Sequence, residues 1–247
     1  MMLINLIWYM VRHAPEQDRI TFWVEQDGKE NFQRLMKALP RELFASSRVE
    51  IRQLPLKITS IDQSSAFRKL LRLYGKFYSH TKIFRKLGIN SVIILGGDDI
   101  SEYYKKWMIL SDLYRIRRYS RRFPCILAGQ TIGPFKGLRE KAAALCLSGV
   151  RIFTRDELSY DYLKNRLKLT EGQIQSSADL CFPALPGQTA ADSILGDYGL
   201  ETDRYLTLVP GGFYTLYTSD RSGYIEAWVH LAKKLLDSDS HAGKRVV

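Results

Sequence analysis

Short apolar runs alternate with longer amphipathic runs along most of this chain, and this alternation limits the fold more than any other feature of the sequence. An uninterrupted apolar run such as Val92 to Leu95 is typical of a strand buried on both faces of a parallel sheet. Strand patterns cover residues 20–25, 48–54, 91–95, 124–128, 150–153 and 174–177, and helix patterns cover residues 3–13, 31–39, 61–87, 102–122, 138–147 and 156–167. This order predicts an α/β fold with a Rossmann-like parallel sheet flanked by helices.

The composition shifts toward Gly, Pro, Ala and Asp over residues 184–202, as in a linker between domains. We predict an N-terminal Rossmann-like domain at residues 1–187, a linker at 188–203 and the start of a second α/β domain at 204–247. The second part holds a strand pattern at 205–209, a helix pattern at 224–236 and the first residues of another strand at 246–247. Because so few elements cannot close a core, we expect this domain to be truncated. The first domain opens on a helix, so we also expect its first strand to be missing.

The chain is strongly basic, with 37 Lys and Arg against 26 Asp and Glu and a formal charge of +11. Such a charge points to an anionic substrate, an anionic membrane surface or nucleic acid. No motif that reads RNA or DNA is visible, so a nucleic-acid-binding module ranks last among these classes. The densest basic cluster, residues 115–122, is either a solvated helix face or a contact for lipid headgroups or a lipid-linked diphosphate.

The cysteines Cys125, Cys146 and Cys181 are widely spaced within apolar segments. This spacing indicates neither a disulfide framework nor a zinc site, and it favours a reducing cytoplasm. The apolar residues 1–11 lack the flanks of a signal peptide and are too few to span a bilayer. We therefore expect a cytoplasmic protein, with peripheral contact at the inner face of the membrane through the basic cluster.

Two predicted strands run into glycine-bearing loops. Gly96 and Gly97 precede Asp98 and Asp99, whose paired carboxylates can bind sugar hydroxyls, hold a cation or transfer a proton, or alternatively cap the next helix. After the next strand, the segment 129–135 contains Gly129, Gln130, Thr131 and Gly133. Glycines permit positive φ and close approach to a ligand, and the N–H groups around them can form an anion site. A tight turn without a ligand is the alternative.

A third loop follows the strand pattern at 150–153. Thr154 and Glu157 have the spacing of a capping box, which predicts Thr154 as the N-cap and Arg155 at the first helical position. There the planar guanidinium of Arg155 is set to bind a phosphate or carboxylate, and Asp156 complements the helix dipole. An ion pair between Arg155 and Asp98, Asp99 or Asp179 is the structural alternative.

These loops, in their order and spacing, resemble those of the polysaccharide pyruvyl transferase family. The resemblance is carried by Ile-Ile-Leu-Gly-Gly-Asp-Asp at 93–99, Ala-Gly-Gln-Thr-Ile-Gly-Pro-Phe at 128–135, Thr-Arg-Asp-Glu-Leu-Ser at 154–159 and Ser-Ala-Asp-Leu-Cys-Phe at 177–182. The segment at 129–135 is the most specific of the four. The resemblance implies a GT-B-like pair of Rossmann-like domains facing across a cleft.

The resemblance also implies an activity: transfer of pyruvate from phosphoenolpyruvate to a hydroxyl pair of a sugar, with formation of a ketal. The acceptor would be a cell-surface polysaccharide (exopolysaccharide) or its lipid-linked oligosaccharide precursor. No cofactor is implied beyond phosphoenolpyruvate as co-substrate, and Arg155 is expected to help bind it. The candidate catalytic residues are Asp98 and Asp99, and the expected substrate-binding residues are Gly96, Gly97, Gly129, Gln130, Thr131, Gly133, Arg155 and Asp156.

Two departures from the family pattern bear on activity. The resemblance implies an Arg-Leu-His-like segment in the second domain and an N-terminal glycine loop with an acidic residue, and neither is found in this sequence. The proton donor is then either the missing histidine or a carboxylate such as Asp98. We expect this chain to be a fragment with impaired activity. A GT-B glycosyltransferase that uses a nucleotide sugar is the alternative function.

Overall fold

The computed structural model describes residues 2–26, 28–44, 47–56, 66–102, 106–183, 192–211, 218–238 and 244–246. The chain forms two compact units, Met1–Gly187 and Gln188–Val247. The predicted linker, 188–203, contains a short helix at Asp192–Asp197.

Strands and helices alternate through the described part of the first unit. The strands are β1 (Ile20–Val24), β2 (Val49–Gln53), β3 (Val92–Leu95), β4 (Cys125–Gln130), β5 (Arg151–Thr154) and β6 (Ile174–Ser176). The helices are α1 (Met2–His13), α2 (Gly28–Ala38), α3 (Ala66–Lys86), α4 (Lys106–Ser120), α5 (Leu138–Leu147) and α6 (Glu157–Asp161). A 3-10 turn at Arg41–Phe44 precedes β2, and one turn of π-helix, Tyr162–Arg166, continues α6.

The strands of the first unit form two parallel sheets. One sheet has the order β3-β4-β5-β6, and the other is the pair β1-β2. In the larger sheet Ile94 pairs with Leu127, and Leu127 pairs with Ile152. All the neighbours are parallel, so the carboxyl ends of β3, β4, β5 and β6 lie along one edge. The predicted parallel α/β architecture with flanking helices is confirmed.

The main core lies between the larger sheet and its helices. Leu127 and Ile152 on the sheet, Ile116 on α4 and Leu147 on α5 are fully shielded from solvent. Each such side chain contributes roughly 1.5–3 kcal/mol by leaving water. A second cluster joins α1, α2, β1 and β2. The loops at the carboxyl edge of the larger sheet are therefore carried by strands that are fixed by buried apolar contacts.

Three helices differ in detail from the sequence prediction. Helix α3 ends at Lys86, one residue before the end of the predicted pattern. It continues through Gly75, since a single glycine costs a helix only about 1 kcal/mol and the buried Phe77 and Phe84 anchor the C-terminal part of the helix. Residues 61–65 of that predicted helix lie outside the described residues. Glu102, where the next helix is predicted to begin, lies in a turn; residues 103–105 lie outside the described residues, and α4 spans Lys106–Ser120. The predicted helix at 156–167 changes to π geometry at Tyr162.

The second unit holds α7 (Asp192–Asp197), β7 (Tyr205–Leu206), α8 (Arg221–Leu236) and β8 (Arg245–Val246) among its described residues. Strands β7 and β8 pair in parallel, with Tyr205 opposite Arg245. Asp220 caps α8 by accepting a hydrogen bond from Gly223 N at 3.0 Å. None of the described α8 side chains is buried. In neither unit is a described helix both long and apolar enough to cross a membrane.

Candidate functional site

The three predicted loops meet at the carboxyl edge of the larger sheet. They follow β3, β4 and β5, which are neighbours in that order. Thr131 N donates to Gly97 O at 2.8 Å, which joins the first loop to the second, and Arg155 N donates to Gln130 O at 3.3 Å, which joins the second to the third. All of the predicted site residues therefore lie on loops, or on a strand end, along one edge.

Arg155 is the centre of a polar network that connects the segments that follow β4, β5 and β6. Its Nε donates to Thr131 Oγ1 at 2.9 Å, and its Nη1 donates to Asp179 Oδ2 at 2.8 Å. Thr131 Oγ1 in turn donates to Asp156 Oδ2 at 2.7 Å. Of the three partners left open for Arg155 by the sequence, the structure selects Asp179. The guanidinium is thus held by a carboxylate on one side and a hydroxyl on the other.

Both carboxylates of this network are stabilised in their charged form. The backbone N–H of Cys181 and the Arg155 guanidinium hold the pKa of Asp179 below its ordinary value. Burial acts to raise the pKa of Asp156, but hydrogen bonds from Thr131 and Ser159 together with the charge of Arg155 lower it overall. Near neutral pH the network contains one guanidinium and two carboxylates.

The N-cap of α6 differs from the prediction. Asp156, not Thr154, is the N-cap, and its Oδ1 accepts a hydrogen bond from Ser159 N at 2.7 Å. Thr154 is instead the last residue of β5, pairs with Gln130 and is fully buried. Sheet pairing therefore extends one residue further than the capping-box spacing suggests. Arg155 precedes the cap and lies outside the helix, so the prediction that it occupies the first helical position is wrong.

The predicted anion site formed by backbone N–H groups of the 129–133 loop is largely occupied by the protein itself. Thr131 N donates to Gly97 O, Gly133 N donates to Ile100 O at 2.8 Å, and Ile132 N donates to Ser159 Oγ at 2.9 Å. These N–H groups shape the loop and are not available to a ligand in this conformation. The Arg155 side chain is then the cationic group that the three loops present.

Two glycines of the 129–133 loop are required by its backbone. Gly129 has φ +69° at the register shift between Ala128 and Gln130, and Gly133 has φ +80°. A Cβ at Gly133 would lie 2.6 Å from the Tyr162 ring, whose hydroxyl accepts a hydrogen bond from Phe135 N at 3.0 Å. The glycines therefore let the loop pack against the π-helical turn and direct Gln130 inward.

Gln130 lies beneath the first loop and is 1% exposed. A Cβ placed on Gly96 would fall 1.6 Å from Gln130 Nε2, so this position admits only glycine while Gln130 keeps its place. Among the described residues, Gln130 Oε1 has no hydrogen-bond partner. Buried and beneath Gly96, Gln130 supports the loop that precedes Asp98 rather than lining an open surface.

Asp98 and Asp99 have different surroundings. Asp98 O accepts a hydrogen bond from Ser101 Oγ at 2.8 Å, and its side chain is half-buried. Asp99 is exposed and near Asp112 of α4; the pKa of Asp112 is raised chiefly by burial, opposed by Arg115, and raised further by the Asp99 charge. Ile100, which follows them, forms a parallel β-bridge with Ile132, so neither aspartate is the N-cap of α4.

The basic cluster at residues 115–122 is partly engaged within the chain. Arg115 pairs with Asp112 at 3.0 Å, Arg117 Nη1 donates to Ser148 Oγ at 3.3 Å, and the Arg118 guanidinium lies 5.0 Å from the centre of the Tyr78 ring. All three arginine side chains are half-buried, whereas Arg121 is exposed. The first contact lies within α4, and the other two join α4 to the end of α5 and to α3.

Two residues that position the site, Ser159 and Tyr162, are not distinguished by the sequence pattern alone. Both hold the 131–135 loop through its backbone N–H groups. Their signal in the sequence is spacing: Ser159 follows the cap Asp156 by three residues, and Tyr162 follows Ser159 by three more. Residues at this spacing lie on one side of a helix, so both face the loop.

Comparison with known proteins agrees with this geometry. The model of the family described as polysaccharide pyruvyl transferase matches residues 50–241, which is more than half of the chain and includes all three loops. No match is found among curated proteins. The chain thus belongs to the polysaccharide pyruvyl transferase family.

Proposed function

We propose that the chain acts in the transfer of pyruvate from phosphoenolpyruvate to two hydroxyls of a sugar, on a cell-surface polysaccharide or its lipid-linked precursor. The observation that carries the proposal is the position of Arg155. It lies at the carboxyl edge of the sheet beside Gly97, whose Cβ position is 3.9 Å from Arg155 Nη1. No described residue accepts a hydrogen bond from its Nη2, so one side of the planar fork is left for a phosphate or carboxylate.

The net charge of the network around Arg155 indicates that this arginine does not bind the donor by itself. Asp179 and Asp156 together outweigh the single guanidinium, so the described network is anionic by itself. Phosphoenolpyruvate carries a carboxylate and a phosphate, and its binding requires more positive charge than one arginine supplies. We therefore assign Arg155 as one of several cations at the donor site. The basic residues that the family resemblance implies for a second domain would supply the others.

The reaction balances with two hydroxyls and one phosphoenolpyruvate. The methylene carbon takes one proton, an oxocarbenium-like centre develops at the adjacent carbon, and the sugar oxygens form two C–O bonds as phosphate leaves with the electron pair of its bond. One of the two hydroxyl protons replaces the proton given to the methylene carbon, and the other is carried away by phosphate. A carboxylate near a hydroxyl favours this proton transfer, and we assign that role to Asp98 or Asp99.

The architecture proposed for the complete site is GT-B-like, with a second Rossmann-like domain supplying the facing wall. The parallel β7-β8 pair and α8 in the second unit support this assignment, because they are elements of an α/β domain. We propose a cytoplasmic location at the inner face of the membrane, where a lipid-linked acceptor and phosphoenolpyruvate are both accessible. The exposed Arg121 supports this contact.

The test measures phosphate release from phosphoenolpyruvate with and without a panel of glycan acceptors. We expect release only when an acceptor is present, and loss of release in Arg155→Ala. The matched control is Arg122→Ala, a half-buried arginine in the turn after α4. Turnover of a nucleotide sugar without release of phosphate from phosphoenolpyruvate would instead favour a glycosyltransferase.

A separate binding measurement distinguishes the donor site from the complete reaction. Calorimetric titration of the chain with phosphoenolpyruvate is expected to show weaker binding in Arg155→Ala than in Arg122→Ala. Equal binding in both variants would remove Arg155 from the donor site, whatever the outcome with acceptors.

A further inference from the structure

The positive charge of the chain is concentrated in two stretches of the sequence. Residues 75–97 hold four Lys and Arg, residues 113–139 hold seven, and neither stretch contains Asp or Glu. The rest of the chain holds 26 Lys and Arg against 26 Asp and Glu, so its formal charge is zero. The whole formal charge of +11 therefore belongs to the parts of the chain that run from α3 to β3 and from α4 to the start of α5.

Helices α3, α4 and α5 lie side by side in one layer. Helix α4 connects β3 to β4 and α5 connects β4 to β5, and right-handed crossovers between neighbouring parallel strands place both helices on the same side of the sheet. The Arg118 guanidinium of α4 lies 5.0 Å from the centre of the Tyr78 ring of α3. Arg117 of α4 donates to Ser148 at the end of α5. The two basic stretches thus meet on one surface of the first unit.

Each of these helices directs exposed side chains away from the sheet. Buried residues such as Phe84, Ile116 and Leu147 point inward from the three helices. The outward residues that matter here are all exposed, and we call them the three-helix face: Lys82 and Arg85 of α3, Arg121 of α4, and Leu138, Lys141 and Leu145 of α5. The face therefore consists of four cations and two leucines.

The two leucines of α5 are the apolar part of this face. Leu138 is 82% exposed and Leu145 is 62% exposed, although Ala143 and Leu147 of the same helix are buried. Lys141 lies between the two leucines at helical spacing, so the three side chains form one outward stripe. A helix that is apolar on its outer side as well as its inner side is normally covered on both sides. The stripe therefore indicates a partner that takes up leucine side chains next to cations.

The carboxylates of α4 and α5 do not neutralise the face. Asp112 and Glu140 are the acidic residues in the sequences of these two helices. Asp112 pairs with Arg115 at 3.0 Å, and Glu140 pairs with Arg166 at 3.1 Å. Because each of these carboxylates already has an arginine of its own, the four cations of the three-helix face keep their charge for a partner.

An anionic lipid surface matches this combination of groups better than other partners do. The headgroups of an anionic bilayer attract Lys and Arg, and the boundary between headgroups and acyl chains takes up leucine side chains. Nucleic acid offers phosphates, but it has no apolar phase for Leu138 and Leu145. A second copy of the chain would bring the same four cations against themselves.

We propose that the three-helix face binds the surface of an anionic membrane, with Leu138 and Leu145 inserted at the headgroup boundary and the four cations among the headgroups. Leu138 follows Phe135, the last residue of the 129–135 loop, by three residues, so the face adjoins the candidate site at the start of α5. A lipid-linked acceptor would then reach this loop from the membrane. That consequence rests on the proposed function, whereas the binding of the face to lipid does not.

The first test measures co-sedimentation of the full chain with vesicles of phosphatidylcholine, alone or with about 30% phosphatidylserine. We expect binding to the anionic vesicles, much weaker binding to the neutral ones, and a decrease at high salt. Arg121→Gln and Lys141→Gln are each expected to weaken binding about fivefold. The matched control removes two exposed cations of α2, in Arg34→Gln with Lys37→Gln, and is expected to bind as the unsubstituted chain does. Equal binding to neutral and anionic vesicles would overturn the proposal.

A leucine variant distinguishes a membrane from a soluble polyanion. Leu138→Gln with Leu145→Gln leaves the charge of the face unchanged, and both positions are exposed, so we expect the fold to be kept. Vesicle binding is expected to weaken at least about tenfold. The control is Ile225→Gln with Val229→Gln, at exposed positions of α8. If the leucine variant bound vesicles as tightly as the unsubstituted chain, the proposal would be wrong and the cations would belong to a site for a soluble polyanion.

These vesicle measurements contain no phosphoenolpyruvate, so they can fail or succeed independently of the proposed reaction. Phosphate release gives a second readout for the same leucine variant. We expect the variant to keep release with a soluble acceptor and to lose it with an acceptor carried in anionic vesicles. Equal losses with both acceptors would place the effect of the leucines in the site itself and would contradict a membrane contact.

Discussion

Arg155 Nη1 and Asp179 Oδ2 lie 2.8 Å apart and join the end of β5 to the segment that follows β6. Arg155 also holds Thr131 through its Nε, so a single side chain fixes segments that follow three different strands. Two hydrogen bonds in these directions from one side chain require the planar guanidinium with its several N–H donors, which an ammonium group does not provide.

The first prediction concerns replacement of this guanidinium. Arg155→Lys can keep one of the two contacts but not both, and we expect it to lower the free energy of unfolding by about 1 kcal/mol, in the range of a lost charge-assisted hydrogen bond at a partly exposed site. Urea denaturation of Arg155→Ala, Asp179→Ala and the double variant measures the coupling. Additive effects of the two single substitutions would show that the pair is not energetically significant.

The second prediction concerns Gly133. Replacement by Ala imposes φ +80° on a residue with a Cβ and brings that Cβ to 2.6 Å from the Tyr162 ring. We expect a loss of roughly 2–4 kcal/mol, because the left-handed backbone costs about 1–2 kcal/mol and displacement of Tyr162 adds the rest. The matched control is Gly88→Ala, at φ +70° with nothing within 4 Å of its Cβ position. Equal losses in the two variants would show that the contact with Tyr162 is unimportant.

The third prediction concerns the packing of Gly96 against Gln130. Gly96→Ala places a methyl group where the Gln130 amide lies, and Gln130 is buried, so we expect destabilisation of about 1–3 kcal/mol. Adding Gln130→Ala vacates that space and is expected to recover part of the loss. Gly97→Ala is the control, because its Cβ would make only an ordinary contact at 3.9 Å with Arg155. A double variant no more stable than Gly96→Ala would contradict this explanation.

The parallel sheet is predictable from the sequence because apolar runs such as those of β3, β4 and β5 are typical of strands buried in a parallel sheet. The position of the site is predictable because the loops that follow neighbouring parallel strands lie side by side at one edge. The partner of Arg155 is not predictable to the same degree. Three aspartates are plausible partners in the sequence, and the choice of Asp179 depends on β6 lying next to β5.

Two local features depend on three-dimensional context. Thr154 and Glu157 satisfy the spacing of a capping box, but pairing of β5 with β4 keeps Thr154 in the strand and moves the cap to Asp156. The glycine-rich sequence around Thr131 and Gly133 is typical of an anion site formed by backbone N–H groups. These N–H groups instead donate to Gly97 O and Ile100 O, which belong to a loop that is distant in sequence. Local patterns identify these residues, and only the pairing of strands decides what they bind.

The fourth prediction concerns Asp156 and acid. Its Oδ1 caps α6 and its Oδ2 accepts from Thr131, so Asp156→Ala is expected to cost about 1–2 kcal/mol at neutral pH. Burial acts to raise the pKa of this carboxyl, but the hydrogen bonds and Arg155 lower it below the ordinary value of 3.8. The charged carboxylate therefore contributes its full stabilisation above pH 3.8. That stabilisation is lost as the pH falls through the lower pKa of the folded state. Denaturation curves of the two proteins should converge in strong acid. A difference that is constant with pH would contradict the role of the charged form.

The fifth prediction concerns His80, which is 4% exposed and whose Nδ1 lies 2.8 Å from the Tyr119 hydroxyl. Burial, followed by the charges of Lys76 and Arg115, lowers the pKa of His80 from 6.5 to about 4. Between pH 6.5 and 4, His80 is therefore protonated in the unfolded chain but not in the folded chain. The free energy of unfolding then decreases as the pH falls from 6.5 toward 4. The loss from this group is about 3 kcal/mol at most.

His80→Gln can keep a hydrogen bond to Tyr119 but does not titrate, so it should lose less stability over this pH range than the unsubstituted protein. Urea denaturation at several pH values between 6.5 and 4 measures the difference, with His230→Gln, at an exposed position, as the control. Carboxylates titrate in all three proteins and therefore cancel in the comparison. If His80→Gln and His230→Gln showed the same slope of stability with pH, the buried histidine would not be the source of acid sensitivity in this range.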